Sequence, residues 1–238
     1  LLSTIATKKI HGSEAGPNEF VSKVLRGDAQ SSSDAAVLDA QWSDLFAKLK
    51  SEIDSTCSNV GDESVIDPRD GIAMCDVSSS MYGEPMHAAI ALSILVSELG
   101  KNIKDRVLTF ESTPQWVDLK GLTFCQKVCR LRDAGWGGST NFQSACEMVL
   151  QAAVDAKLPR EHMIKKLFVF SAMQFDEAGG VGYWTQTSPW ETQYEKLKFA
   201  FRAAGIQACG ESYDVPQIVF WNLRANTPGY PVTSTQKN

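Results

Sequence analysis

The sequence predicts an α/β protein, a doubly wound and mostly parallel sheet with one antiparallel edge strand, preceded by a helical flank. From about Ile66, short apolar runs alternate with longer amphipathic segments, which is the pattern of strands buried on both faces and joined by helical crossovers. Glu111-Ser112-Thr113-Pro114 separates two strand-like runs by a turn-forming tetrapeptide short enough to make them a hairpin. Residues 1–64 are polar, rich in serine at Ser31-Ser32-Ser33, and carry no strand-like run. The expected division is a flank of helix and loop over 1–64 and an α/β domain over 65–238. A chain of 238 residues, 43% of them hydrophobic, can enclose one sizeable core.

In the flank, Glu19 to Leu25 and Ala35 to Ile53 read as helices. The second places Val37, Leu38, Trp42, Leu45, Phe46 and Leu49 at helical spacing, a stripe that must dock on the domain or on a neighbour. Gly71 to Val77 is the first buried strand. Pro85 suits the first turn of a helix through Met86, Ile90, Ile94 and Leu99 that stops at Gly100; apolar residues nearly encircle it, so it should be largely buried. Arg106 to Phe110 and Gln115 to Leu119 form the hairpin, and Thr123 to Arg132 a short helix. A loop at Gly135-Trp136-Gly137-Gly138 leads to a helix from Asn141 to about Ala156. Lys166 to Ser171 is the next buried strand, Trp190 to Ala204 the next helix, and Gln217 to Asn222 the last strand.

Charge and cysteine usage narrow the function classes. Twenty-three basic against 28 acidic residues give a net charge of -5, and the densest basic runs are the pairs Lys8-Lys9 and Lys165-Lys166. Sequence-independent adhesion to nucleic acid or anionic lipid is not expected of such a chain. The six cysteines lie mostly in apolar, strand-like or helix-like surroundings and read as reduced thiols. Cys125 and Cys129 lack the second pair or the histidine that would complete a zinc set. The longest apolar stretch, Ala88 to Val96, is too short to span a bilayer, and Leu1 to Ile10 does not read as a secretory signal. A cytoplasmic or nuclear protein is expected, and the opening Leu leaves room for an upstream segment.

Chemistry concentrates after the first strand. In an open α/β sheet, ligands bind where loops leave the carboxyl ends of the strands, at the point where the winding reverses. Asp76-Val77-Ser78-Ser79-Ser80 falls there, and its alternation lets one carboxylate and two hydroxyls converge. Hard cations such as Mg²⁺ take oxygen ligands at about 2.1 Å and keep several waters, so this donor set suits a weak site.

Asp76-x-Ser78-x-Ser80-Met81, followed later by Gly137-Gly138-Ser139-Thr140-Asn141, resembles the metal-ion-dependent adhesion site of von Willebrand factor A domains. The resemblance implies hydroxyl ligands from Ser78, Ser80 and Thr140, and a carboxylate from Asp76, often through water. It also implies a bound Mg²⁺, or Mn²⁺ or Ca²⁺, whose remaining position a partner protein's carboxylate fills. More narrowly, Cys75 to Ser78, Lys166 to Asp176, Pro189-Trp190-Glu191-Thr192 and Pro216 to Arg224 look like an uncharacterised family of plants, fungi and large viruses. That family carries this domain after a helical region, an arrangement similar to the Ro autoantigen. The likeness covers roughly residues 36–237.

Two departures qualify it. Von Willebrand sites take a second acidic ligand after the fourth strand, where the family reads Phe-Ser-Asp-Met, whereas this chain has Phe170-Ser171-Ala172-Met173. Ala172 removes one negative charge and weakens the site; Asp176 would approach it only if its loop folds back. After Arg224 only Ala225 to Asn238 remain in place of the usual sixth strand and closing helix, so the domain reads as truncated there.

The same residues have plainer uses. Asp76, Ser78 and Ser80 are turn formers, and Thr140 is placed to cap the helix that follows, a role compatible with ligation. His11, His87 and His162 have no acidic or cysteine neighbours at ligand spacing and read as structural or solvated. Of the tryptophans, only Trp136 and Trp184 lie in loops expected on the site face. No Gly-x-Ser-x-Gly elbow, phosphate-binding Gly-x-x-x-x-Gly-Lys loop or Gly-x-Gly-x-x-Gly fingerprint is present. The expectation is a non-enzymatic protein-binding module. The alternative is a ribonucleoprotein or assembly scaffold, with RNA reached only indirectly and the metal site unused.

Overall fold

The structure, a computed structural model, describes residues 16–59, 67–110, 113–134, 142–172 and 190–223. Two helices open it, α1 (Pro17–Arg26) and α2 (Ser32–Asn59). Pro17 starts α1, and Gly27 ends it at φ 93°, the left-handed conformation that lets its amide close on the last carbonyls. Ser31 caps α2 by accepting the Asp34 amide at 3.1 Å.

Strand β1 (Gly71–Asp76) is followed by α3 (Glu84–Leu99), the hairpin β2 (Arg106–Phe110) and β3 (Trp116–Asp118), and α4 (Phe124–Arg132). Then come α5 (Phe142–Asp155), β4 (Lys166–Ser171), α6 (Trp190–Cys209) and β5 (Gln217–Asn222). The five strands lie in the order β3-β2-β1-β4-β5. β2/β3 is the antiparallel pair; β1/β2, β1/β4 and β4/β5 are parallel. This is a Rossmann-like α/β sheet. β4 and β5 match their expected bounds, and β1 ends one residue early, at Asp76.

Residue alternation along the strands divides the core in two. Ala73, Cys75, Val107, Phe168 and Phe170 face a layer formed by α1, α2, α3 and α4. Ile72, Met74, Leu108, Leu167 and Val169 face the opposite way, toward α5 and α6. As its composition predicts, α3 is buried almost all round, from Ala89 to Ser97. α6 runs to Cys209, beyond the expected end at Ala204, because Gly205 does not stop it. A Cβ at Gly205 would lie 2.3 Å from the Tyr213 amide nitrogen, so glycine serves there as the contact point for the returning chain.

The stripe of α2 docks on the sheet-bearing part of the chain, except for Val37, which lies off the buried face and is 55% exposed. Leu38, Trp42, Leu45, Leu49 and Ile53 are all buried in the first core layer. The Trp42 ring stacks on Phe124 with centroids 4.2 Å apart and meets Phe20 edge-on at 6.5 Å. Its indole N–H donates to Glu98 Oε2 at 3.2 Å, and Glu98 Oε1 accepts from Lys127 Nζ at 2.8 Å. Asp39 of α2 accepts the Cys125 amide at 2.9 Å, adding an exogenous cap to α4, whose own capping box is Thr123 with Gln126.

At the amino end of the sheet, Arg69 pairs with Asp67 and with Asp54 of α2, each at 2.8 Å, while Lys101 reaches Asp70 at 3.0 Å.

All six cysteines are free. Burial pushes the thiols of Cys75, Cys125 and Cys146 up to about 12, for Cys125 with help from the Asp39 carboxylate, whereas Cys209 is exposed. Among the described residues, no helix is long and apolar enough to cross a membrane.

Candidate functional site

β1 is the strand at which the winding reverses: the chain moves outward through β2 and β3 on one side and through β4 and β5 on the other. The carboxyl ends of the two neighbouring strands on either side of that reversal, β1 and β4, are where a doubly wound sheet presents ligand groups. Asp76 is the last residue of β1 and is 1% exposed. The chain then passes through Val77 and Ser78, both buried, into a single 3₁₀ turn over Ser79–Met81. Met81, fully buried, pins the far end of that turn in the first core layer.

The Asp76 carboxylate ties this loop together. Its Oδ1 accepts the Ser78 amide at 2.9 Å, closing the turn that Asp favours. Its Oδ2 accepts from the Ser171 hydroxyl at 2.5 Å, which bridges the ends of β1 and β4. The Ser78 and Ser80 hydroxyl oxygens lie 2.9 Å apart, within hydrogen-bond distance. Ser78 is buried and Ser80 half-buried, while Ser79 between them points to solvent. Of the three motif residues, Ser78 and Ser80 bring their hydroxyls together, while the Asp76 carboxylate meets the Ser78 amide and the Ser171 hydroxyl.

Ser171 is a member that the sequence reading missed as a site residue. It stands beside Asp76 because Cys75 pairs with Phe170 in the parallel β1/β4 register, and it pairs in turn with Asn222 at the end of β5. In-register residues of a parallel sheet share a face, so Asp76, Ser171 and Asn222 form a polar row at the carboxyl ends of three strands. A hydroxyl ending the strand adjacent to the motif's strand was the available signal.

Ala172 is fully buried and packs in the same apolar layer as Val77 and Met81. A methyl, not a carboxylate, therefore occupies this place after β4. Thr140 lies outside the described residues, as do Gly137, Gly138, Trp136, Asp176 and Trp184. The helix that follows Thr140 begins at Phe142, whose ring packs 5.9 Å from Phe220 of β5, on the face that also carries Asp76.

Away from the Asp76 loop, other polar groups make local contacts, and His11 lies outside the described residues. Thr109, buried beside Cys75, accepts the Gln115 amide at 3.0 Å and shapes the hairpin. His87 Nδ1 approaches Glu84 at 3.7 Å. His162 is exposed, and its carbonyl accepts from Asn102. Among the described residues, no three His, Cys, Asp or Glu side chains converge as a metal cluster. What the site offers is one carboxylate and a set of hydroxyls. The fit of such a set to a hard cation can be judged from the hydroxyl spacing. Adjacent ligands of an octahedron with bonds of about 2.1 Å lie about 3.0 Å apart, close to the Ser78–Ser80 separation.

Residues 70–238 match a family described as a domain of unknown function, DUF7788. The chain belongs to the DUF7788 family. The matched residues begin at the foot of β1 and take in the whole sheet and the Asp76 loop, leaving out α1 and α2. An uncharacterised protein of Acanthamoeba polyphaga mimivirus is 37% identical over 227 residues, which cover 94% of this chain. A match of that extent reaches through the helical flank as well as the DUF7788 domain. The chain spans about a third of that relative's length, 34%. No solved structure matches.

Proposed function

We propose that this DUF7788 chain is a non-enzymatic protein-binding module, in which Asp76, Ser78 and Ser80, completed by Thr140, form a weak divalent-cation site for a partner's carboxylate. The observation that carries the reading is the Ser78–Ser80 pair, held 2.9 Å apart at the switch point of the sheet by a turn closed on Asp76. The resemblance to the von Willebrand factor A adhesion motif supports the same residues. A bound Mg²⁺, Mn²⁺ or Ca²⁺ would supply the positive charge that a partner carboxylate needs in order to dock. Ser78 and Ser80 would hold it directly, with Asp76 balancing its charge. With one carboxylate where two are usual, binding is weak and depends on the partner. Six free cysteines fit a reducing compartment, the cytoplasm or the nucleus.

One observation favours a second reading. The Asp76 carboxylate is already bridged to β4 by Ser171, and Ala172 is a core methyl, so the loop is held in place by the chain's own groups. A scaffold for a ribonucleoprotein or other assembly, with the site unused, would look the same. Calorimetric titration with Mn²⁺ separates the two. The binding reading expects saturable heats that Ser78→Ala and Thr140→Ala abolish, together with a melting temperature that rises with cation and falls with EDTA. Identical titrations for wild type and both variants would leave the scaffold reading.

A further inference from the structure

Building on the reading of Ser78 and Ser80 as the cation site, we infer that Tyr82 is its specificity-determining contact. The partner segment it selects presents a single carboxylate beside an apolar side chain, not a run of acidic residues. Tyr82 is 82% exposed, the most exposed large apolar side chain among the described residues, and stands two positions from Ser80. Its base is fixed on both sides. Met81 before it is fully buried, its own amide donates to the Ser79 carbonyl at 3.2 Å, and Gly83 after it takes φ 91° to turn the chain into α3.

A tyrosine held out on so rigid a base offers a large amphipathic contact and loses little conformational freedom when a partner covers it. Its neighbours set the charge preference. Glu84 is 68% exposed at its side chain and is held by the Asn18 amide at 3.3 Å, with exposed Glu19 next to Asn18. A second partner carboxylate beside the first would meet that acidic rim, whereas an apolar side chain would meet the Tyr82 ring. The net charge of -5 works in the same direction against an acidic tract.

The test is to pan a phage-displayed library of random peptides on the full chain in Mg²⁺, elute with EDTA, and synthesise the enriched peptides. The expected winners carry one Asp or Glu adjacent to Leu, Phe, Trp or Pro. They bind Tyr82→Ala at least about tenfold more weakly, while Mn²⁺ raises the melting temperature of that variant as it does the wild type. Glu84→Gln should admit peptides with a second acidic residue. Winners that bind Tyr82→Ala as well as wild type, or winners that are acidic tracts, overturn the role of Tyr82 and leave the cation site standing. Failure to recover any EDTA-released peptide, together with a Mn²⁺ response in Ser78→Ala equal to that of wild type, overturns both.

Discussion

Replacing Trp42 by Ala tests whether the amino-terminal helices and the sheet unfold as one body. The side chain is 3% exposed, stacked on Phe124 and edge-on to Phe20, so nearly all of its surface is buried between α2 and the layer over the sheet. An indole buries roughly 200 Å², worth about 5 kcal/mol at about 25 cal/mol per Å². Truncations of buried aromatics to Ala cost about 3–5 kcal/mol. Loss of the indole hydrogen bond to Glu98 adds little, since Glu98 keeps Lys127. The expected loss is about 4 kcal/mol, which for a chain of this size lowers the melting temperature by roughly 8–16 °C. Urea denaturation followed by far-ultraviolet circular dichroism should show one transition at a lower midpoint with an unchanged slope. A loss under about 1 kcal/mol would refute the shared core. So would two transitions of which the larger keeps the wild-type midpoint, since α1 and α2 would then melt as a separate layer.

Two further predictions concern charge. Burial opposes ionisation of Asp67, but the hydrogen bonds from the Arg69 side chain and amide, with the charges of Arg69 and Lys101, outweigh it and hold the carboxyl below its ordinary value of 3.8. A depressed folded value stabilises the protein above the ordinary carboxylate range, and that contribution disappears as pH falls through the folded value. Between about pH 5 and pH 3 the urea midpoint of the wild type should therefore fall more steeply than that of Asp67→Asn, and parallel profiles would dismiss the coupling. Ala172→Asp places a carboxylate in a fully buried position. In EDTA it should melt several degrees lower than wild type, and Mn²⁺ should restore more stability than it adds to the wild type. Equal Mn²⁺ effects would mean that position 172 does not face the cation.

The parts of the fold that were legible in the sequence are those in which one physical demand dominates. A strand buried on both faces must be continuously apolar, and the run at Lys166–Ser171 is read to the residue; Gln217–Asn222 is read to the residue as well, although this last strand of the described sheet is only half-buried. The short turn between Phe110 and Gln115 dictates a hairpin. The apolar stripe of α2 shows that the helix needs cover but carries no address; that the cover is Phe20 and Phe124 depends on how two distant helices pack. Gly205 misleads because glycine has two uses, as a helix stop and as a point of close approach, and only the position of Tyr213 tells them apart. At the site, Asp76, Ser78 and Ser80 were legible because their alternation is local. Ser171 was not, because its place beside Asp76 depends on the register of a strand far along the chain.

The clasp between Asp54 and Arg69 also bears on how the helical flank stays attached. The two residues are fifteen positions apart, so the last part of α2 and the start of β1 are joined by a short covalent link as well as by an ion pair. Closing so short a span costs little chain entropy, and the link keeps each half near the other at a high effective concentration. If thermal motion lifts α1 and α2 away, they therefore return by an intramolecular step that does not depend on protein concentration. Cutting the backbone anywhere between Asp54 and Arg69 would remove that advantage. The Trp42 contact would then have to hold two separate molecules together, and the layer over one face of the sheet would be gained or lost by dilution.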